Sequence, residues 1–119
     1  MKLLTAEIKD RLRKHPLSDN CSLDDEVIVK FFGGSAATWL ITEAEEQADG
    51  DWLFFGLATI GLPSQRYGQG KLLWEWGYVT LRQLEEVRFP PFELPAERDM
   101  WLPKGTKVRD EVFMFEGAE

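Results

Sequence analysis

The sequence predicts an α+β domain: a mainly antiparallel sheet of four or five strands with two helices packed on it. Three observations predict this. Short β-branched and aromatic runs are bounded by Gly-containing turns. The early connections have hairpin length, whereas parallel strands need long crossovers. Two other stretches carry apolar residues at helical spacing behind capping residues.

Thr5 caps the first helix, and Glu7 in its first turn suits the positive helix N-terminus. Leu4, Ile8 and Leu12 form its apolar stripe, and Pro16 ends it. Segment 17–26 is polar and reads as a loop. Segment 26–32 (EVIVKFF) reads as a strand, turned by Gly33, Gly34 and Ser35 into a hairpin partner, 37–43 (ATWLITE). An acidic loop follows, carrying Glu43, Glu45, Glu46, Asp49 and Asp51. Segment 52–60 (WLFFGLATI) is apolar on both faces, which places it at the sheet centre or beneath a helix. Gly56 within it signals a bulge or a close backbone contact.

Segment 61–71 is a loop rich in Gly and Gln and is expected to be mobile. Segment 72–79 (LLWEWGYV) is the fourth strand, with Leu72, Trp74, Trp76 and Tyr78 on one face and Leu73, Glu75 and Val79 on the other. Thr80 and Gln83 form a capping-box pattern for the second helix, whose buried side is Leu81, Leu84 and Val87. Pro90 and Pro91 prevent its continuation. Segment 92–102 is extended or weakly helical, and 112–115 (VFMF) is a candidate edge strand. The chain reads as a single domain, 1–119, with its core over about 2–102 and a C-terminal extension at 103–119. Trp39 and Trp76 are expected in the core.

Composition narrows the function. The chain has 119 residues, 44% of them hydrophobic, with five Trp and eight Phe, enough for one core. Its net charge of −7 argues against direct nucleic-acid binding. The basic cluster Lys9, Arg11, Arg13 and Lys14 sits among Glu7 and Asp10 and reads as a solvated helix face. One cysteine, Cys21, allows no intramolecular disulfide. No membrane-spanning run or leader pattern is visible, and a cytoplasmic location is the expectation.

Separated pieces of the chain carry a family resemblance. They are Lys2-Leu3-Leu4-Thr5, Val29-Lys30-Phe31-Phe32, Trp39 with Thr42-Glu43, Leu53-Phe54-Phe55-Gly56-Leu57 and Glu75-Trp76-Gly77-Tyr78. Leu81, Leu84-Glu85 and Val87 follow, then Leu94-Pro95-Ala96-Glu97-Arg98-Asp99. In this order they resemble a family of small bacterial proteins catalogued as domain of unknown function number twenty-nine fifty-eight. The resemblance covers roughly residues 2–102 and leaves 103–119 as an extension. It implies a setting on plasmids, conjugative elements and phages, and it carries no catalytic residue over.

No catalytic constellation emerges. Zinc sites need several Cys or His ligands, and only His15 and Cys21 are present, so no metal and no cofactor is expected. The acidic loop lacks the alternation of a calcium-binding loop. His15 and Cys21 have no third group to orient a base. Gly68-Gln69-Gly70-Lys71 resembles the end of a phosphate-binding loop, but Gln65 and Leu72 break the pattern. Glu97, Arg98 and Asp99 are the candidate ligand-binding cluster, with Arg98 as an anion fork and Glu97 as a base; structural ion pairing is the competing reading. Arg66 and Tyr67 are conjectural additions to it.

Surplus aromatics suggest a partner surface. The candidate partner-binding residues are Glu43, Glu45, Glu46, Asp49, Asp51 and Trp74. The leading expectation is a non-enzymatic interaction protein, an accessory of a bacterial mobile element that binds a host or element protein, with anti-defence activity as one version. The alternatives are a small-ligand or nucleotide-processing domain using Arg98 and Glu97, joined by Glu75 or Tyr78, and a structural homodimer subunit.

Overall fold

The computed structural model describes residues 2–18, 20–34, 36–61 and 73–115, the side chains of the last three aside. Helix α1 (Ala6–Arg13) starts as expected, with the Ile8 N–H donating to Thr5 Oγ1 at 3.2 Å. Strands β1 (Val29–Gly33), β2 (Ala37–Glu46) and β3 (Trp52–Thr59) form a meander that β4 (Glu75–Thr80) continues. Helix α2 (Leu81–Glu86) follows at once through a complete capping box between Thr80 and Gln83. Short strands β5 (Arg88–Phe89), β6 (Leu94–Pro95) and β7 (Glu97–Arg98) precede helix α3 (Val108–Phe115).

The main sheet has the order β4-β3-β2-β1-β7, antiparallel at every neighbouring pair, and β5 pairs with β6 in a small second sheet. The architecture is α+β with a five-stranded antiparallel sheet. Among the described residues there are three helices rather than two.

Register sorts the side chains into two layers. On the first face Val29, Phe31, Ile41, Ala44, Trp52 and Phe54 pack with Leu12 of α1 and Leu84 of α2. The Phe31 and Phe54 rings meet at 5.5 Å. On the second face Leu40 and Leu57 pack with Val27, Val108 and the half-buried Trp74 and Trp76. The pairing of β2 with β3 shifts between Ile41 and Glu43, a bulge that leaves Thr42 buried with its hydroxyl directed at Phe55 O.

The strand expected at 112–115 is instead part of α3. Helical spacing turns Val108, Glu111 and Val112 to one side, and Val108 and Glu111 are buried. Asp110 and Glu111 in the first turn suit the helix N-terminus, and Asp110 accepts the Lys107 N–H. The core therefore extends well past residue 102. Segment 26–28 precedes β1 rather than belonging to it: Glu26 only bridges to Lys107. Residues 73 and 74 likewise precede β4. The loop expected at 61–71, apart from Gly61, lies outside the described residues, as does Leu72. That applies to the motif at Gly68–Lys71 and to Arg66 and Tyr67. Trp39 and Trp76 are half-buried against the core, whereas the rings of Trp52, Phe31 and Phe54 are fully enclosed. No described helix is long and apolar enough to cross a membrane.

Two predictions follow from the packing. A Cβ on Gly56 would stand 1.9 Å from Leu40 O and 2.8 Å from Leu40 C, whereas one on Gly77 would meet nothing within 4 Å. Gly56→Ala should cost about 3 kcal/mol or more, at the upper end for overpacking, while Gly77→Ala should shift stability by less than about 1 kcal/mol. Urea midpoints of the two variants check this. The second concerns Lys30, whose ammonium lies 2.6 Å from Glu111 and 3.7 Å from Asp99, with the Lys30 and Glu111 side chains only 11% and 5% exposed. Glu111→Ala should cost about 3 kcal/mol, the low end for breaking a buried pair because Asp99 still faces the ammonium, and Lys30→Met added to Glu111→Leu should recover part of the loss.

Candidate functional site

Glycines build an apolar recess on the first face. Gly56 and Gly77 stand opposite each other across β3 and β4, so two side chains are missing from one patch of the first face. Trp39, Ile41, Ala58 and Val79 wall the space, and Ile60 and Leu73 stand at its end. The result is an apolar groove of about 330 Å³, within the range of small-ligand and side-chain pockets. Glu75 brings one exposed carboxylate to it.

The Trp39 wall is held from behind. Its ring packs against Phe89 of β5 at 6.5 Å. Phe89 in turn lies over Gly33 and Gly34: a Cβ on Gly33 would come within 2.1 Å of the ring. Two glycines at the end of β1 therefore seat the β5–β6 hairpin beside the groove.

On the opposite face of the same strands lies an aromatic row. Phe55 stacks on Trp76 at 5.7 Å and meets Tyr78 at 5.0 Å. Tyr78 is 57% exposed. Strand β4 thus carries the groove on one side and the aromatic row on the other. Among the described residues no strand pairs with its outer edge.

The residues singled out from sequence are placed differently. Glu43, Glu45 and Glu46 belong to β2 rather than to a loop, because pairing with β3 continues to Glu46↔Trp52. Each acidic side chain accepts a hydrogen bond from within the chain. Glu43 takes the Ser18 N–H and hydroxyl, and Glu45 takes the Gln47 amide. Glu46 pairs with Arg13 at 3.3 Å, and Arg13 also lies 5.5 Å over the Trp52 ring. Asp49 pairs with Arg82 at 3.0 Å, and Asp51 accepts the N–H groups of Trp52 and Arg82. Glu46, Asp49 and Asp51 tie the β2–β3 hairpin to α1 and α2, while Glu43 holds Ser18 and Glu45 holds Gln47 of the turn.

Glu97, Arg98 and Asp99 follow one another along the sheet edge, where Arg98 and Asp99 border one recess with Glu7 and Arg11. Arg98 donates to Lys2 O, and Asp99 joins Lys30 while accepting the Trp101 N–H at 2.8 Å. Glu75 and Tyr78 lie on β4, at the other edge of the sheet. Trp74 is half-buried against the second core cluster. Cys21 is exposed, and the His15 backbone takes part in helix capping and in a bond from Ala44 N. Among the described residues no three His, Cys, Asp or Glu side chains group as a metal site. The groove itself escaped the sequence reading. Its only signal was one Gly in each of two apolar strands, and the facing of Gly56 and Gly77 depends on a register that the long 60–74 connection conceals.

Asp49 yields a pH prediction. Hydrogen bonding from the Asp51 backbone and the charge of Arg82 hold its carboxyl below the ordinary aspartate value. A carboxyl depressed in the folded state contributes stability above its unfolded pKa and loses it as pH falls through the folded value. Wild type should therefore gain slightly over Asp49→Asn at neutral pH, and the gap should close in acid below the ordinary aspartate range. Thermal melts at pH 7 and pH 2.5 check it, and the exposure of the pair keeps the effect small.

No curated protein and no solved structure matches the chain. One family model does, over residues 3–110, a span that takes in α1, every strand among the described residues, α2 and the buried start of α3. The match runs past the end expected at residue 102, in line with the packing of Val108 into the core. Covering most of the sequence, it shows that the chain belongs to the family described as protein of unknown function (DUF2958).

Proposed function

We propose that this domain is a non-enzymatic interaction module that receives an apolar and basic segment of a protein partner in the groove on β3 and β4. The single observation that carries the reading is the groove itself: a recess of about 330 Å³ floored by Gly56 and Gly77, walled by Trp39 and edged by the carboxylate of Glu75. Apolar walls supply binding energy as they lose water, and one acidic group at the edge selects a cationic neighbour. The surplus of acid over base in the chain, a net charge of −7, favours a basic partner in the same way. The groove carries this reading in place of the acidic hairpin, whose carboxylates already accept hydrogen bonds within the chain. The family resemblance supports a role as accessory to a bacterial mobile element, with a host or element protein as partner.

Random heptapeptides displayed on phage and selected on the immobilised full chain test the proposal. Selected sequences should share an apolar residue close to a Lys or Arg. Gly77→Leu, which fills the groove from a position with open space around it, should reduce their capture at least about tenfold, roughly the 1.4 kcal/mol of one lost apolar contact, while leaving the urea midpoint near that of wild type. Equal capture by the variant would remove the groove from the mechanism.

A further inference from the structure

We infer that the partner segment enters as an added β-strand along the outer edge of β4. This rests on the groove reading above and specifies how the groove is filled.

The backbone supplies the first argument. β4 is the terminal strand of the main sheet, and its six residues pair with β3 without a register break. In an antiparallel ladder half of an edge strand's N–H and C=O groups point outward, ready to pair with another chain. Proteins usually blunt such edges with proline, bulges, very short strands or a covering element. The opposite edge is treated that way: β7 has two residues and follows Pro95 directly but for Ala96. β4 carries no proline and no bulge, and its middle residue, Gly77, is exposed.

The flanks supply the second. An added strand directs alternate side chains to opposite faces. On one face it would meet Glu75, Gly77 and Val79, and so the groove; on the other it would meet Trp76 and Tyr78. The position beside Gly77 has room for a large apolar side chain, since nothing lies within 4 Å of where a Gly77 Cβ would stand. The position beside Glu75 meets an exposed carboxylate.

Charge decides between occupants. A second copy pairing through its own β4 would bring Glu-Trp-Gly-Tyr-Val-Thr, which offers no cation to Glu75, and each copy carries a net charge of −7. A partner strand with Lys or Arg beside Glu75, an apolar residue beside Gly77 and small β-formers on the aromatic side satisfies every contact.

The test uses two fluorescein-labelled hexapeptides, Lys-Thr-Leu-Thr-Val-Thr and its reverse, so that both strand directions are sampled, with the full chain. Binding is read by anisotropy, and each amide of the binding peptide is then N-methylated singly. Strand addition should give a period-two pattern: alternate positions lose at least about tenfold, the equivalent of one backbone hydrogen bond, and the others change little. Amide hydrogen exchange of residues 75–80 should slow at alternate positions on binding. A flat N-methyl profile, with binding still lost in Gly77→Leu, would overturn strand addition and leave the groove reading standing. Failure of both peptides to bind at millimolar concentration would overturn the inference, with the groove decided separately by the displayed library. Sedimentation showing a dimer that either peptide dissociates would assign the edge to a second copy and overturn the partner strand.

Discussion

The approach of β3 to β2 at Gly56 is the contact on which the other elements depend. The Leu40 carbonyl occupies space that any side chain at position 56 would need, so the two central strands pass each other backbone to backbone just before the Thr42 bulge. That closeness sets the register on both sides of the bulge. Above it Ile41 and Trp39 line the groove; below it Ala44 and Phe54 belong to the core beneath the helices. The ten-residue length of β2 lets one strand serve both regions.

Charge does more structural work than the run of acids suggested. Glu46 and Asp49, at the turn end of the β2–β3 hairpin, reach Arg13 on α1 and Arg82 on α2, while Lys30 inside the sheet holds Glu111 of α3. Exposed pairs of the first kind are each worth little, and Leu12 and Leu84 in the core hold the helices down. The buried pair differs in kind. It joins α3 to the sheet through a charge that water scarcely reaches, so losing the nearer partner is expensive.

The sequence disclosed what depends on local chemistry. Thr5 and Thr80 announced two helix starts, the Gly-Gly turn announced the first hairpin, and Gly56 announced a close backbone contact. It concealed what depends on distant partners. VFMF has strand-like composition, but Val108 and Glu111, upstream, find a hydrophobic and a charged partner on the sheet, and the whole segment becomes helical. The acids of 43–51 looked unopposed because their basic partners lie more than thirty positions away in sequence, at Arg13 and Arg82. The candidate site was nearly illegible for the same reason. A groove made of two absent side chains is visible only once the strands that carry them are laid side by side.

The facing glycines separate two selective pressures within a single pair of residues. Position 56 is closed by the backbone opposite, so folding alone excludes every other amino acid there. Position 77 faces open space, so the fold is indifferent to what stands there, and only the depth of the recess changes. Relatives that differ at 77 would thus keep one scaffold while altering what it accommodates. If the groove binds as proposed, divergence at that site would record the history of ligands, and constancy at its neighbour across the strand would record the history of the fold.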